Sequence, residues 1–292
     1  MSRVITSCCA VLLTALLTIA GSVADAFGDA RAAELIAQAR AALGGSKDAP
    51  LSRGVSCAGT VTRAIGDRRV SGDITLDLQL PDKLLRTETI APMGDGTLIV
   101  TEQGINGETL LRSFKTMNAP PGAVIRTPPP PAAGSEAEVQ AIRNSRAELI
   151  RVSIALLLSS AGAEFSYAGE AEAPDGKADV LDVKAAGGTA ARLFLDKATH
   201  RPLMLSYRGI APRTIVQTQH GGGPAGAAHE VTPPPAGETV DVTMFLDDYH
   251  AVDGVMLPHK ISRAVGGETT EEWTFKTIKI NPAFRSETFI QK

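Results

Sequence analysis

Aromatic side chains are scarce in this 292-residue chain, and their scarcity argues against several kinds of binding surface. Phe, Trp and Tyr make up 4% of the sequence, with one Trp and three Tyr. Surfaces that stack sugars or nucleic-acid bases depend on such rings. The net charge is −3, and no run of basic residues occurs. The sequence therefore offers no electrostatic footprint for nucleic acid, and we predict no nucleic-acid partner.

Motifs for catalysis, metals and nucleotides are missing as well. The chain contains no Gly-x-Ser-x-Gly, no Gly-x-x-x-x-Gly-Lys and no Cys-x-x-Cys, and none of its five histidines forms a His-x-x-x-His or Glu-x-x-His pair. These spacings are typical of nucleophiles, phosphate-binding loops and zinc sites. We therefore predict that the protein is not an enzyme and has no catalytic residue, no metal ligand and no cofactor.

Cysteine occurs at three positions. Cys8 and Cys9 lie in an N-terminal segment that we expect to be removed, so Cys57 remains without an intrachain disulfide partner. Because the sequence around Cys57 is strand-like, we expect it to be a small buried apolar side chain and not a nucleophile.

The N-terminal segment has the features of a secretory signal. Arg3 precedes an apolar run over residues 10–20, and Ala24-Asp25-Ala26 supplies the small residues of a cleavage site. The run is about half of the roughly 20 residues that a membrane span needs. We predict a signal peptide over residues 1–26, cleavage, and a soluble mature protein in the periplasm. An uncleaved interfacial anchor is the alternative.

Two helices are predicted. Asp29–Leu43 has apolar residues on one face, a possible cap at Asp29, and Gly44-Gly45 to end it. The second helix, residues 136–159, is amphipathic at first, but its segment Leu149–Leu158 is apolar almost all round. Only a helix covered by other structure has that composition.

Alternating segments predict about ten or more antiparallel strands. The clearest is Val70–Leu80, in which apolar and polar residues alternate strictly. Burial of its long apolar side chains is worth roughly 1.5–3 kcal/mol each, which specifies the register. Turn pairs such as Asn106-Gly107 and Asp253-Gly254 join consecutive segments and predict a meander of hairpins. Pro- and Gly-rich loops near 119–134 and 221–237 interrupt this series, so we predict one domain over residues 27–292.

Several local sequences, in order along the chain, resemble the LolA/LolB-like outer-membrane lipoprotein-carrier superfamily. They follow an N-terminal helix and are mostly turns between strands. The matching segments are Leu80–Arg86 (LPDKLLR), Asn106–Leu110 (NGETL), Leu195–Leu203 (LDKATHRPL) and Asp248–Pro258 (DYHAVDGVMLP).

The resemblance implies an α+β fold that is mainly β: a curved, open antiparallel half-barrel sheet whose concave face is capped by helices. It implies a periplasmic carrier or binder of a lipid, a lipoprotein acyl chain or another amphipathic ligand, with lipoproteins, envelope proteins and transient membrane contact as partners. Leu149–Leu158 would be the lid helix, and Arg86 would contact a headgroup near the groove mouth. The predicted ligand groove comprises Val70, Ile74, Leu76, Leu78, Leu80, Arg86, Ile150, Ile154, Leu157 and Leu158.

Two other functions stay open at this point. A structural or sensory envelope module of the same fold would have a filled groove and a protein partner. A hydrolase is the lesser alternative, using His250 and His259, which flank the predicted Asp253-Gly254 hairpin.

Overall fold

The computed structural model describes residues 29–46, 48, 50–65, 68–91, 96–119, 130–159, 161–173, 176–185, 188–210 and 239–291. The predicted signal peptide, the loop at 221–237 and residues 120–129 of the first Pro-rich loop lie outside these residues.

The described chain forms two helices and a series of strands. Helix α1 includes residues 29–42, and helix α2 spans Glu136–Leu157. Asp29 is already helical, so it is not the N-cap that the sequence predicted. The strands are β1 Gly54–Ile65, β2 Arg68–Gln79, β3 Lys83–Ile90, β4 Leu98–Asn106, β5 Thr109–Met117, β6 Glu164–Ala173, β7 Gly176–Ala185, β8 Gly188–Asp196, β9 Pro202–Ile210, β10 Thr239–Val252, β11 Val255–Val265 and β12 Glu268–Ile280.

All these strands belong to one antiparallel sheet in the order β5-β4-β3-β2-β1-β12-β11-β10-β9-β8-β7-β6. Consecutive strands pair, as the meander prediction required, except for β5 and β6, and the first and last strands meet in the middle of the sheet. The sheet is open, with β5 and β6 as its edges. Helix α2 joins these two edge strands, so it crosses the hollow face of the sheet from one side to the other. The predicted fold class is confirmed.

Glycines at close backbone contacts help the sheet to curve. A Cβ built on Gly59 would collide with the Thr274 carbonyl oxygen and lie 2.8 Å from Phe275 Cα. Gly104 approaches Leu84 on the neighbouring strand in the same way. A register shift follows Ala58 in the β1–β12 pairing. Glycine kinks and bulges are the usual means by which a sheet bends instead of lying flat.

Helix α1 packs against the hollow face through one apolar side. Its buried residues include Leu35, Ile36 and Ala39, which belong to the same core as the inner face of β2. Gly44 ends the helix with φ +82°, as predicted, and the Leu43 carbonyl accepts a hydrogen bond of 2.8 Å from the Met256 amide. The end of α1 is therefore anchored to the β10–β11 hairpin.

Helix α2 begins at an N-cap, Ser135, whose hydroxyl accepts from the Glu138 amide at 3.2 Å. Its second half is buried from Leu149 to Leu157, in agreement with the prediction that this segment is covered. The helix ends where Leu158 adopts φ 46°, and the Arg40 guanidinium donates to the Leu158 carbonyl at 2.9 Å. No helix among the described residues has the length and apolar character of a membrane span.

The close approach at Gly59 predicts that replacing this glycine with alanine destabilises the protein. Alanine in place of a strand glycine normally stabilises a protein, because it lowers the entropy of the unfolded chain. Gly59→Ala should instead lower the free energy of unfolding by about 1–3 kcal/mol, since its methyl group would displace the backbone of β12. Urea unfolding followed by circular dichroism measures this difference.

Gly209→Ala is the matched control. Its added Cβ would meet only side-chain atoms, Val242 Cγ2 at 3.2 Å and Tyr207 Cε2 at 3.3 Å, which can shift. Its stability should change by no more than about 1 kcal/mol. A Gly59→Ala variant as stable as the wild type would show that the backbone contact does not constrain the sheet.

Candidate functional site

A cavity of about 560 Å³ lies between the first half of α2 and the sheet edge formed by β2 to β5. Its apolar walls are Leu76 and Leu84 from the sheet and Ala137 and Ala141 from the helix. The volume is within the range of about 300–1,000 Å³ that is usual for small-molecule sites. The cavity is therefore large enough to hold part of a ligand beneath the helix.

The predicted groove residues fall into two groups in the structure. Leu76 and Arg86 line the cavity. The other members do not line it: Leu80 is partly buried, Val70 is buried outside the main core, and the rest are buried in the packed interior of the hollow. This second group consists of Val70, Ile74, Leu78, Leu80, Ile150, Ile154, Leu157 and Leu158. The second half of α2 thus fills its part of the hollow, and the empty space lies under the first half.

Beside the cavity, ionic side chains from the sheet and from α2 form a connected cluster, which we call the charged belt. Its members are Arg63, Arg86, Glu88, Glu148, Arg151, Arg263 and Glu271.

Each carboxylate of the charged belt is shared between two arginines. Glu88, whose side chain is 2% exposed, accepts from Arg63 at 2.6 Å and from Arg86 at 3.1 Å. Glu271 accepts from the same two arginines at 3.2 and 3.4 Å. Because these charges are largely removed from water, the pairing offsets a large desolvation cost, and loss of one partner would leave part of that cost uncompensated.

Glu148 connects helix α2 to the belt. It is hydrogen-bonded to Arg263 of β11, and to Arg151 on its own helix at 3.3 Å. Arg151 also stacks on the Tyr207 ring of β9, 3.8 Å from its centroid. The belt therefore connects the middle of helix α2 to strands β9 and β11 of the sheet.

Trp273, the single tryptophan of the chain, lies within the charged belt. The Arg263 guanidinium is 4.5 Å and that of Arg86 is 5.6 Å from its ring centroid, distances at which a cation is attracted to an aromatic face. Its indole N–H donates to Glu271. The ring thus packs against Arg86 and Arg263, the two belt arginines that line the cavity.

The belt residues with shifted pKa values stay charged at neutral pH. Burial alone would raise the pKa of Glu271, but Arg86, Arg263 and Arg63 overcome it and hold the pKa at about 2. The pKa of Glu148 is also lowered, since Arg263 and Arg151 outweigh its burial. Burial would lower the pKa of Arg263, but Glu148 and its neighbours raise it instead.

Sequence reasoning missed the charged belt, except for Arg86. The available signal was a charged residue on the apolar side of an alternating strand. Arg63 is two positions from buried Val61, and Glu271 is two positions from Trp273. Such residues point into the hollow with their apolar neighbours, so they must find partners there.

The two histidines of the hydrolase hypothesis do approach each other. The rings of His250 and His259 are edge-on with centroids 5.0 Å apart, and His250 Nε2 is 2.8 Å from Asp248 Oδ1. His259 Nδ1 lies 3.1 Å from the Leu257 carbonyl oxygen. Within the described ranges, no three His, Cys, Asp or Glu side chains are grouped as metal ligands.

Cys57 is fully buried, as predicted. Burial raises the pKa of its thiol, so the reactive thiolate is disfavoured. It packs with the core and does not contribute to the cavity.

The low pKa of Glu271 predicts how acid weakens the fold. A carboxylate whose pKa is lowered by folding contributes stability that is fully present above its ordinary pKa of 4.5. That stability is lost as the pH falls from about 4.5 to about 2. It amounts to something on the order of 3 kcal/mol. Glu271→Gln should therefore be less stable at neutral pH and lose less stability across this interval, as measured by urea unfolding at a series of pH values.

Glu272→Gln is the control for this experiment. Glu272 is the next residue along β12 and pairs with Lys260 at 2.8 Å, outside the charged belt. Its pH profile should follow the wild type. If the free energy of unfolding of Glu271→Gln fell with pH as steeply as that of the wild type, the belt would not stabilise the charged form of Glu271.

No protein-family model and no curated protein matches this sequence. Among solved structures, a LolA superfamily protein from Nitrosomonas europaea is 10% identical, with a TM-score of 0.48 over 89% of this chain and 97% of that chain. An outer membrane lipoprotein-sorting protein domain from Vibrio parahaemolyticus is 12% identical, with a TM-score of 0.46 over 89% and 97%. A DUF1329 family protein from Desulfovibrio piger is 10% identical, with a TM-score of 0.46 over 90% and 97%. At identities of 10–12% and TM-scores below 0.5, these likenesses establish neither a family nor a ligand for this chain.

Proposed function

We propose that this protein is a non-catalytic periplasmic carrier or binder of a lipid, a lipoprotein acyl chain or another amphipathic ligand. The observation that carries the proposal is the cavity under the first half of α2, which has apolar walls on both sides and charged groups beside them. Leu76 and Arg86, predicted as groove residues from the sequence, both line it.

The energetics of an acyl chain support this use of the cavity. Each buried methylene contributes about 0.8 kcal/mol, so a chain that is only partly enclosed still gains several kcal/mol. Ala137 and Ala141 lie one helical turn apart on α2 and leave room that larger side chains would fill. The opposite wall, Leu76 and Leu84, comes from paired strands and is fixed by the sheet.

The periplasmic part of the proposal is supported by the sequence of residues 1–26, which has the charged, apolar and small-residue regions of a signal peptide. The one-domain prediction for residues 27–292 is supported by the single sheet that contains every described strand. The alternative, a structural or sensory module, is favoured by the packed second half of α2, which fills much of the hollow.

Filling the cavity from the helix side tests the proposal. Ala141→Phe should occupy the space without removing any core residue, so ligand binding should fall while the fold persists. We would purify wild type and variant from a cell envelope, record native mass spectra, and extract bound molecules with organic solvent. The wild type should carry a lipid or acylated peptide, or take one up on incubation, and the variant should not.

Val139→Phe is the matched control, because Val139 is on the same helix but is 41% exposed and does not line the cavity. It should keep the wild-type ligand. A wild-type mass without ligand, unchanged after incubation with lipids and lipopeptides, would remove the carrier function and favour the partner-binding module.

A further inference from the structure

More of the charged side chains that line the cavity are positive than negative. Arg86 and Arg263 reach it from the charged belt, and Arg112 reaches it from the edge strand β5. Glu148 is the one carboxylate among the described lining residues. Gln103, Gln140 and Asn144 add polar groups without charge. The cavity lining therefore combines an excess of positive charge with the apolar surfaces of Leu76, Leu84, Ala137 and Ala141.

The belt itself shows the same imbalance. Its four arginines face three carboxylates, so among the described residues one positive charge is not compensated. Tyr207, which packs on Arg151, does not supply the missing anion, because burial raises its pKa. Every belt arginine has a carboxylate partner, so the excess charge belongs to the cluster as a whole. A bound anion would offset it and would be favoured beside the belt.

Arg263 has a donor that is not used. Its side chain is 14% exposed, and its Nε atom is buried without a hydrogen-bond partner in the protein. Its Nη2 atom is occupied by Glu148. A guanidinium presents its donors in a planar fork that matches the oxygens of a carboxylate or a phosphate. An anion seated against Arg263 would satisfy the donor that the protein leaves open.

The geometry points to a single-chain amphiphile with an anionic headgroup, either a carboxylate or a phosphate monoester, as the ligand of this cavity. This inference rests on the proposed function and specifies its ligand class. The headgroup lies toward Arg86, Arg263 and Arg112, and the chain lies between the α2 alanines and the two leucines of the sheet. A volume of about 560 Å³ is enough for one partly enclosed chain.

A series of probes that share one chain and differ in headgroup tests the inference on the unaltered protein. Laurate, lauryl phosphate and lauryl alcohol would be titrated into delipidated protein by calorimetry, with Trp273 fluorescence as a second readout, since this ring contacts both Arg86 and Arg263. Both anions should bind at least about tenfold more tightly than the alcohol, the factor expected of one charge-assisted hydrogen bond. The tighter of the two anions identifies a free fatty acid or a phosphorylated lipid as the source.

The outcomes separate this inference from the proposed function. Equal binding of the alcohol and the anions would overturn the anionic headgroup and leave an amphiphile binder. Failure of all three probes to bind would overturn both.

Two substitutions with opposite expected effects on anion binding give an independent check. Arg112→Gln should weaken anion binding several-fold and leave the alcohol unaffected, because among its described hydrogen bonds Arg112 uses only its backbone, with Gln291. Glu148→Gln removes the carboxylate that competes with the ligand, so it should strengthen anion binding. Arg146→Gln is the control, since Arg146 is on the same helix, pairs with exposed Glu108 and does not line the cavity. Wild-type affinities for both anions in Arg112→Gln and Glu148→Gln would overturn the inference.

Discussion

The connection between the two edge strands governs this structure. Because β1 pairs with β12, the strand series starts and ends in the middle of the sheet, and β5 and β6 become its edges. The segment between them must cross the hollow, and a helix does so with every backbone group of its interior satisfied. That helix is α2, which contacts β4 and β5 near one edge and β8 and β9 toward the other. Its composition follows from the crossing. The second half of α2, which the sheet surrounds, is mainly apolar, and the first half carries most of the polar residues.

The charged belt marks the place where this composition changes. Glu148 directly precedes the apolar segment Leu149–Leu158, and the strand residue that pairs with it is Arg263 of β11. Buried ion pairs add little net stability relative to apolar packing. Through Glu148 and Arg263, the belt joins α2 to the sheet at this depth in the hollow. On one side of it the helix is packed, and on the other the cavity remains.

Most of the fold could be predicted from local patterns, because short segments of sequence are enough to recognise strand alternation, turn pairs and the apolar half of α2. Asp253-Gly254 forms the two-residue turn between β10 and β11, as predicted, and the Asp196 and Thr199 side chains hydrogen-bond within the turn that the superfamily motif marked. The β1–β12 pairing could not be predicted in this way, since it joins residues more than two hundred positions apart. The belt depends on that pairing, because Arg63 meets Glu271 only where β1 lies beside β12.

The same dependence explains why only part of the predicted groove borders the cavity. Alternation identifies which face of β2 is buried, but not what covers it. Ile74 and Leu78 meet apolar side chains of the interior, and only Leu76, which borders the belt, also meets the open space. A ligand bound there would gain apolar contact over a short length and would be held at one end by charge. Its affinity would then combine a limited apolar contribution from the chain with a charge-assisted contribution from the headgroup. A carrier needs such a balance, because a chain buried along the whole hollow would gain about 0.8 kcal/mol for every methylene and would dissociate slowly.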